Sequence, residues 1–275
     1  MSAEEPRAGE GFYHVRVKPG EVARYVLLPG DPGRVPLIAE LWDEAREVSH
    51  HREFRVWSGK LAGRPISACS TGIGAASAAI AVEELARAGS DTFIRVGSTG
   101  AIQPEIKLGD LVISAAAMRL EGASGDYAPP GYPAYASYEV LLALIEAAES
   151  LGARYHVGVT ATTDTFYLGQ GRRGLGGYEW SRSRSLLDDL RSMKVLNLEM
   201  ETSAIYVLAS LYGLRAGSVC AVFANRVRGE FGVVGEKDAA RVAVEAVKVL
   251  QEWDELKERR GKPLIYPSLL RGWRG

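Results

Sequence analysis

The sequence predicts an α/β layered fold with a largely parallel or mixed central sheet. Short apolar runs alternate with helical patterns along the whole chain, and no Pro/Gly-rich linker or internal repeat breaks the alternation. AGSVCAVFAN (216–225) is almost wholly apolar, as a strand buried on both faces should be. Length alone allows one large domain or two smaller ones. The unbroken alternation favours one domain over 1–275, with a core of about 14–260 and a C-terminal addition at 261–275 to which no role is assigned.

The elements follow in order. YVLLPG (25–30) reads as a strand leading into the Pro-started segment PGRVPLIAELW. FRVWSGKLAG and PISACSTG read as two adjacent strands, and AASAAIAVEELARAG (75–89) as a helix closed by glycine. TFIRVGSTG (92–100) and GDLVISAAAM (109–118) are strands, SYEVLLALIEAAESLG (137–152) a helix and YHVGVTATTD a strand. VLNLE enters the helix ETSAIYVLASLYG (201–213), and EKDAARVAVEAVKVLQEWDELKERR (236–260) is a long helix. The least regular stretches are 121–136 and 169–185; the second is rich in glycine and arginine, which suits a mobile flap.

Bulk properties narrow the partners. The chain is 47% hydrophobic and 24% charged with a net charge of −1, so neither nucleic acid nor an anionic membrane is expected as the main partner. Cys69 and Cys220 sit in apolar runs, where they read as small hydrophobes rather than a disulfide or metal pair. The start lacks a signal peptide's features and no apolar run is long enough to span a bilayer, so a cytoplasmic protein is expected. Only five side chains are amides, and arginine far outnumbers lysine. Scarce amides are one habit of proteins that work hot, although a biased genome produces the same pattern.

Several strands end in polar clusters, where α/β sheets bind ligands. Gly30-Asp31-Pro32-Gly33-Arg34 follows the first strand, Arg95-Val96-Gly97-Ser98-Thr99-Gly100 ends another, and Arg52 stands beside Glu53. Singly, each is a turn or a solvated charge; together they suit an oxyanion such as phosphate. No GxxxxGK[ST] is present, which argues against a nucleoside triphosphate. Gly72-Ile73-Gly74 opens a helix but lacks the third glycine of a dinucleotide site, and reads as close helix–sheet packing. Phe166, Gln170 and Arg172 suit a flat heterocycle stacked and addressed at its edge, or belong to a flexible loop with incidental polar groups. Asn225 and Arg226 end the most apolar strand. Glu199 and Glu201 flank Met200 where strand becomes helix; they either complement a helix dipole or hold a ligand.

PGDPGR, SHREF, STGIG, RVGSTGAIQ, RLEGAS, FYLGQGR, NLEME and FANR occur in the order and roughly the spacing found in the nucleoside phosphorylase family. The chain resembles that family over about 14–255, and within it the branch that splits uridine. The resemblance implies a three-layer α/β/α domain around a mixed, twisted, partly barrel-like sheet. It implies phosphorolysis of a nucleoside to free base and ribose 1-phosphate, with inorganic phosphate as co-substrate and no cofactor or required metal. Gly30, Arg34, Arg95 and Ser98 would then hold phosphate, and Arg52 would reach into a neighbouring subunit's site. His14 would cross the same interface to the ribose 5′-hydroxyl. Glu201 would accept hydrogen bonds from the ribose diol, with Met200 lining the sugar pocket and Glu199 in support. Phe166, Gln170, Arg172, Asn225 and Arg226 would meet the base, the catalytic set being Arg34, Arg95, Glu201 and Arg172.

The resemblance further implies a homo-oligomer, a dimer repeated into a hexamer, with a possible K+ ion between subunits near Glu53, Ile73 and Ser77. Purine-specific relatives usually place aspartate where this chain has Asn225, which favours a pyrimidine. The alternatives are a purine or methylthioadenosine phosphorylase of the same fold, a hydrolase using water, and a non-catalytic nucleoside-binding protein.

Overall fold

The computed structural model describes residues 4–271, so the last four residues of the C-terminal addition and the first three of the chain lie outside the described residues. A ribbon of β1 (Arg7–Ala8) and β2 (Gly11–Phe12) precedes β3 (Tyr25–Pro29) and α1 (Arg34–Ala39). β4 (Glu44–His51), β5 (Phe54–Leu61) and β6 (Arg64–Cys69) form a meander, followed by α2 (Ala75–Arg87) and β7 (Thr92–Ala101). β8 (Leu111–Leu120), α3 (Ala123–Tyr127), β9 (Ala134–Tyr135) and α4 (Tyr138–Ser150) come next. β10 (Tyr155–Thr163), α5 (Ser181–Ser192), β11 (Asn197–Glu199) and α6 (Thr202–Leu211) carry the chain to β12 (Arg215–Asn225). The last elements are β13 (Glu230–Phe231), α7 (Glu236–Arg260) and α8 (Pro267–Leu270).

Pairing makes the sheet mixed and partly closed. β7, β12, β8, β10 and β11 pair in a ring, because β12 joins both β7 and β8 while β11 returns to β7. From β7 the sheet opens outward through β3, β6, β5 and β4. Helices cover both faces. Leu27, Ile94 and Val96 pack with α4 and α7, whereas Val26, Leu28 and Phe93 pack with α2 and α6. Strand alternation then puts Arg95 on the same face of β7 as Phe93, the side on which α6 begins. The layered, partly barrel-like fold expected from sequence is the one observed.

Several short elements escaped the sequence pattern, and so did two longer ones, β4 and α5. β4 (EAREVSHH) is mostly exposed and pairs only with β5, so it is an edge strand with no apolar alternation to betray it. α5 starts inside the stretch expected to be irregular, with serine, arginine and aspartate on its exposed face. The described part of the C-terminal addition docks onto α4: Ile265 is buried, its N–H donates to Glu139 (3.0 Å), and its carbonyl accepts from the Tyr138 hydroxyl (2.9 Å). Glu139 also pairs with Lys257 (2.7 Å) and Arg215 (3.2 Å), tying the addition into the α4–α7 layer. No helix among the described residues is long and apolar enough to cross a membrane.

Candidate active site

On one edge, β7 changes neighbours halfway along. Thr92–Val96 pair with β3, Gly100 and Ala101 pair with β11, and Gly97, Ser98 and Thr99 between them have no strand partner on that side. Such a parting is where open α/β sheets receive ligands. Here it opens a cavity of about 800 Å³, of the size that holds a small molecule. Gly30, Arg34, Arg95, Ser98, Phe166, Gln170, Arg172, Glu199, Met200 and Glu201 all line it. A second cavity of about 800 Å³ lies between β4–β6 and the end of α7, but charged side chains there pair with one another, as in Arg64–Glu255 and Lys60–Glu44.

Arg95 is the centre of the first cavity's buried polar network. Only 4% exposed, it donates from Nε to Glu199 Oε2 (2.8 Å) and pairs through Nη2 with Glu201 Oε2, while Nη1 is buried without a partner. Burial opposes its charge, but Glu201 and Glu199 more than offset this and hold the guanidinium pKa above its ordinary value. A cation this firmly ionised, on a residue that lines the cavity, can attract an anion.

The two glutamates divide the work. Glu199 Oε2 also accepts the N–H groups of Glu201 (2.8 Å) and Thr202 (2.9 Å), the otherwise unpaired donors at the start of α6. Its other oxygen accepts from Thr162 Oγ1 (2.5 Å), whose oxygen in turn accepts the N–H of Ser203 (3.0 Å). Glu199 is thus a helix cap that aims Arg95. Glu201 Oε1 accepts the backbone N–H of Gly74 (2.6 Å). Burial, partly offset by Arg95, raises the Glu201 carboxyl above the ordinary range, and the charge of Glu199 adds to the rise. With four lone-pair positions, that carboxylate keeps capacity for two hydroxyl donors.

Gly74, read from sequence as a packing glycine, is also a donor to the carboxylate. Its φ of 103° and ψ of 157° are open to glycine and costly for other residues, and this conformation points its amide at Glu201. Gly72 also earns its place, since a Cβ there would come within 2.8 Å of Glu53. The Gly-x-Gly run is therefore a carboxylate cradle as well as a packing device. A backbone donor has no residue-type signature, so only its glycines were visible.

Arg34 opens α1, its guanidinium 5.7 Å from the Phe223 ring centroid and paired through Nε with Glu236. Gly30 lets two backbones meet, because a Cβ there would lie 3.2 Å from the Gly72 carbonyl oxygen. Across the cavity, the Arg172 guanidinium lies 3.7 Å over the Phe166 ring, and its Nη1 donates to Phe166 O and Gln170 Oε1 (both 2.6 Å). Burial, then repulsion from Arg226, pulls the Arg172 pKa down to about 10. Arg226 donates to the Gln170 carbonyl (2.9 Å) and so buttresses this loop from outside the cavity lining. Phe223 and Phe231 line the cavity too, and neither was singled out in the sequence.

Asn225 corrects the sequence expectation that it faces a base. It is fully buried; its Nδ2 donates to Gln103 O (3.0 Å) and Ile106 O (2.7 Å), while Oδ1 accepts from Val227 (3.0 Å) and Arg228 (2.9 Å). All four hydrogen-bonding positions are occupied in holding two loops. His14 and Arg52 also lie outside the cavity lining. They gather beside Tyr13, whose ring meets that of His14 at 4.9 Å and the Arg52 guanidinium at 5.8 Å, and His14 Nδ1 bonds Glu84 (2.7 Å). Glu53 and Ile73 line the cavity, Ile73 being 80% exposed, and Ser77 Oγ donates to Glu53 (3.2 Å).

Comparison with known proteins adds a family. The phosphorylase superfamily pattern matches residues 24–252. The uridine phosphorylase of Thermococcus kodakarensis is 65% identical over 270 residues, covering 98% of each chain. That of Escherichia coli (strain K12) is 44% identical over 234 residues, covering 83% of this chain and 92% of the relative. A guanosine phosphorylase from Halorubrum lacusprofundi is 39% identical over 216 residues, covering 78% and 84% respectively.

Proposed function

The chain belongs to the phosphorylase superfamily, and from that premise we propose that it splits uridine with inorganic phosphate, giving uracil and ribose 1-phosphate in pyrimidine nucleoside salvage. One observation carries the proposal. A single cavity holds a buried, firmly charged arginine with a free Nη1, a carboxylate with room for a diol, and an aromatic–amide–guanidinium group.

In this mechanism Arg34, Arg95, Ser98 and the backbone near Gly30 fix phosphate below the sugar. Glu201 accepts hydrogen bonds from the two ribose hydroxyls, and Met200 lines the sugar pocket. A phosphate oxygen forms a bond to the anomeric carbon as the bond to uracil N1 breaks, the electron pair leaving with the base. Positive charge on the sugar develops against the phosphate, so positioning lowers much of the barrier. The departing uracil spreads its charge onto its carbonyl oxygens, which Arg172 and Gln170 stabilise as donors. No step needs a cofactor beyond the phosphate co-substrate.

Base choice follows from what surrounds Arg172. The carboxylates lining the cavity are Asp31, Glu53, Glu199 and Glu201, none of them in the Phe166–Arg172 loop, and the amide of Asn225 is already occupied. Among the described residues, no carboxylate of that loop lines the cavity to meet a purine imidazole N–H. The guanosine phosphorylase relative makes a purine the second possibility. A nucleoside panel, run with and without phosphate, tests both. Uridine is expected to react fastest and only with phosphate. Faster cleavage of inosine or guanosine would overturn the base assignment, and phosphate-independent cleavage would overturn phosphorolysis.

His14 and Arg52 complete the neighbouring subunit's site in this proposal, which makes the working unit a homodimer, repeated into a hexamer, of single-domain cytoplasmic subunits. The oxygens of Glu53 and Ser77, with the Ile73 carbonyl, are hard donors that fit a K+ ion at that interface. Its charge would fix the loop from which Gly74 reaches Glu201.

Arg172 gives the reaction a pH signature. Its charge is present below about pH 10 and lost above it. The ratio of wild-type kcat/KM to that of Arg172→Gln is therefore expected to be flat at neutral pH and to fall as pH rises through about 10. Ionisation of uridine itself cancels in that ratio. A ratio that stays constant to pH 11, roughly a unit beyond the shifted value, would show that Arg172 keeps its charge there, whereas a ratio near one at neutral pH would remove Arg172 from the base site.

A further inference from the structure

Each of the two arginines assigned to phosphate meets a carboxylate at Nε. Arg95, which lines the cavity, gives Nε to a carboxylate, Glu199, and leaves Nη1 without a partner. Arg34 also meets a carboxylate at Nε, that of Glu236, in a close charge contact whose N–H is not aligned as a hydrogen bond. A guanidinium presents its donors in a rigid fork, so fixing the Nε edge decides where the terminal nitrogens point. The Phe223 ring, 5.7 Å from the Arg34 guanidinium carbon, limits the remaining freedom.

Glu236 is mounted firmly enough for this task. It opens α7, a helix of 25 residues, directly after Gly235, whose φ is 79°. A Cβ at Gly235 would meet the backbone of Gly109 at 2.8 Å, so the helix start is pressed against that loop. A carboxylate in a helix's first turn is also favoured by the dipole. That is the bland explanation of Glu236, and it predicts no influence on any substrate.

We infer that Glu236 is a positioning residue for phosphate, holding Arg34 by a charge contact at the Nε edge, the edge by which Glu199 holds Arg95 through a hydrogen bond. The inference rests on the proposed phosphate role of Arg34, and the test separates the two. Steady-state kinetics with varied phosphate and saturating uridine would compare the full-length enzyme with Arg34→Ala, Glu236→Gln and the double variant, alongside their Tm values.

Glu236→Gln is expected to raise the phosphate KM about fivefold, as for the stronger half-exposed ion pairs. The uridine KM, kcat and Tm should change little, and the substitution should add nothing in the Arg34→Ala background. An unchanged or lowered phosphate KM, a loss of Tm alone, or an equal effect without Arg34 would overturn the inference and leave the phosphate role of Arg34 standing. If Arg34→Ala itself left the phosphate KM unaltered, that role would fall and the inference with it.

Discussion

Arg95→Lys is expected to lower kcat/KM by about 10³-fold while the protein still folds, a loss of the size seen when an aligned transition-state donor is removed. Lysine keeps the positive charge, so Glu199 and Glu201 are not left as an uncompensated buried pair. It does not keep the fork. Arg95 addresses two carboxylates at once, Glu199 through Nε and Glu201 through Nη2, and keeps Nη1 unpartnered. An ammonium on a flexible stem would settle between the two carboxylates and withdraw from the phosphate. The phosphate KM should therefore rise and kcat fall together, because the anion is held loosely and the sugar carboxylate shifts with it. Kinetics with both substrates varied, plus a thermal melt, check the expectation. Kinetics within tenfold of wild type, about 1.4 kcal/mol, would show that a charge suffices at position 95.

Much of this site was legible because its chemistry is carried by residue types that stand out against their surroundings. Arg95 in the apolar run TFIRVGSTG and the two glutamates of NLEME are charges where the hydrophobic pattern allows none, and burial did not dismiss them. The roles within the pair were half visible. Alternation could place Glu199 and Glu201 on one side, but not show that Glu199 has two helix amides and a threonine as partners while Glu201 retains spare lone pairs. The roles of Thr162, Gly74 and Glu236 went unnoticed for different reasons: a threonine in a strand looks like a strand former, a backbone amide has no letter, and a glutamate opening a helix already has an explanation. β4 was hidden by its position, since an exposed edge strand needs no apolar face.

Asn225→Asp gives the sharpest contrast between what the sequence suggested and what the structure holds. A residue that faced the base would turn the enzyme towards purines on gaining a carboxylate, with little change in stability. The structure predicts the reverse. Nδ2 now donates to the carbonyls of Gln103 and Ile106, and aspartate would place a second acceptor against both in a site with no solvent exposure. An unsatisfied, charged buried group of this kind costs about 2–4 kcal/mol. For a domain of this size that is a Tm loss of about 5–15 °C. The new carboxyl escapes part of the penalty by taking a proton, which lets it donate to one carbonyl, so its folded-state pKa must lie above its unfolded value. The folded variant then binds more protons than the unfolded chain, and its deficit relative to wild type shrinks as pH is lowered and is largest at neutral pH and above. Thermal melts of both proteins at pH 5 and pH 8, roughly one unit above the free carboxyl value and well beyond it, measure this difference directly. Inosine cleavage should not rise. If it rose while Tm held, Asn225 would belong to the base site after all, and the loops it ties together would need another anchor.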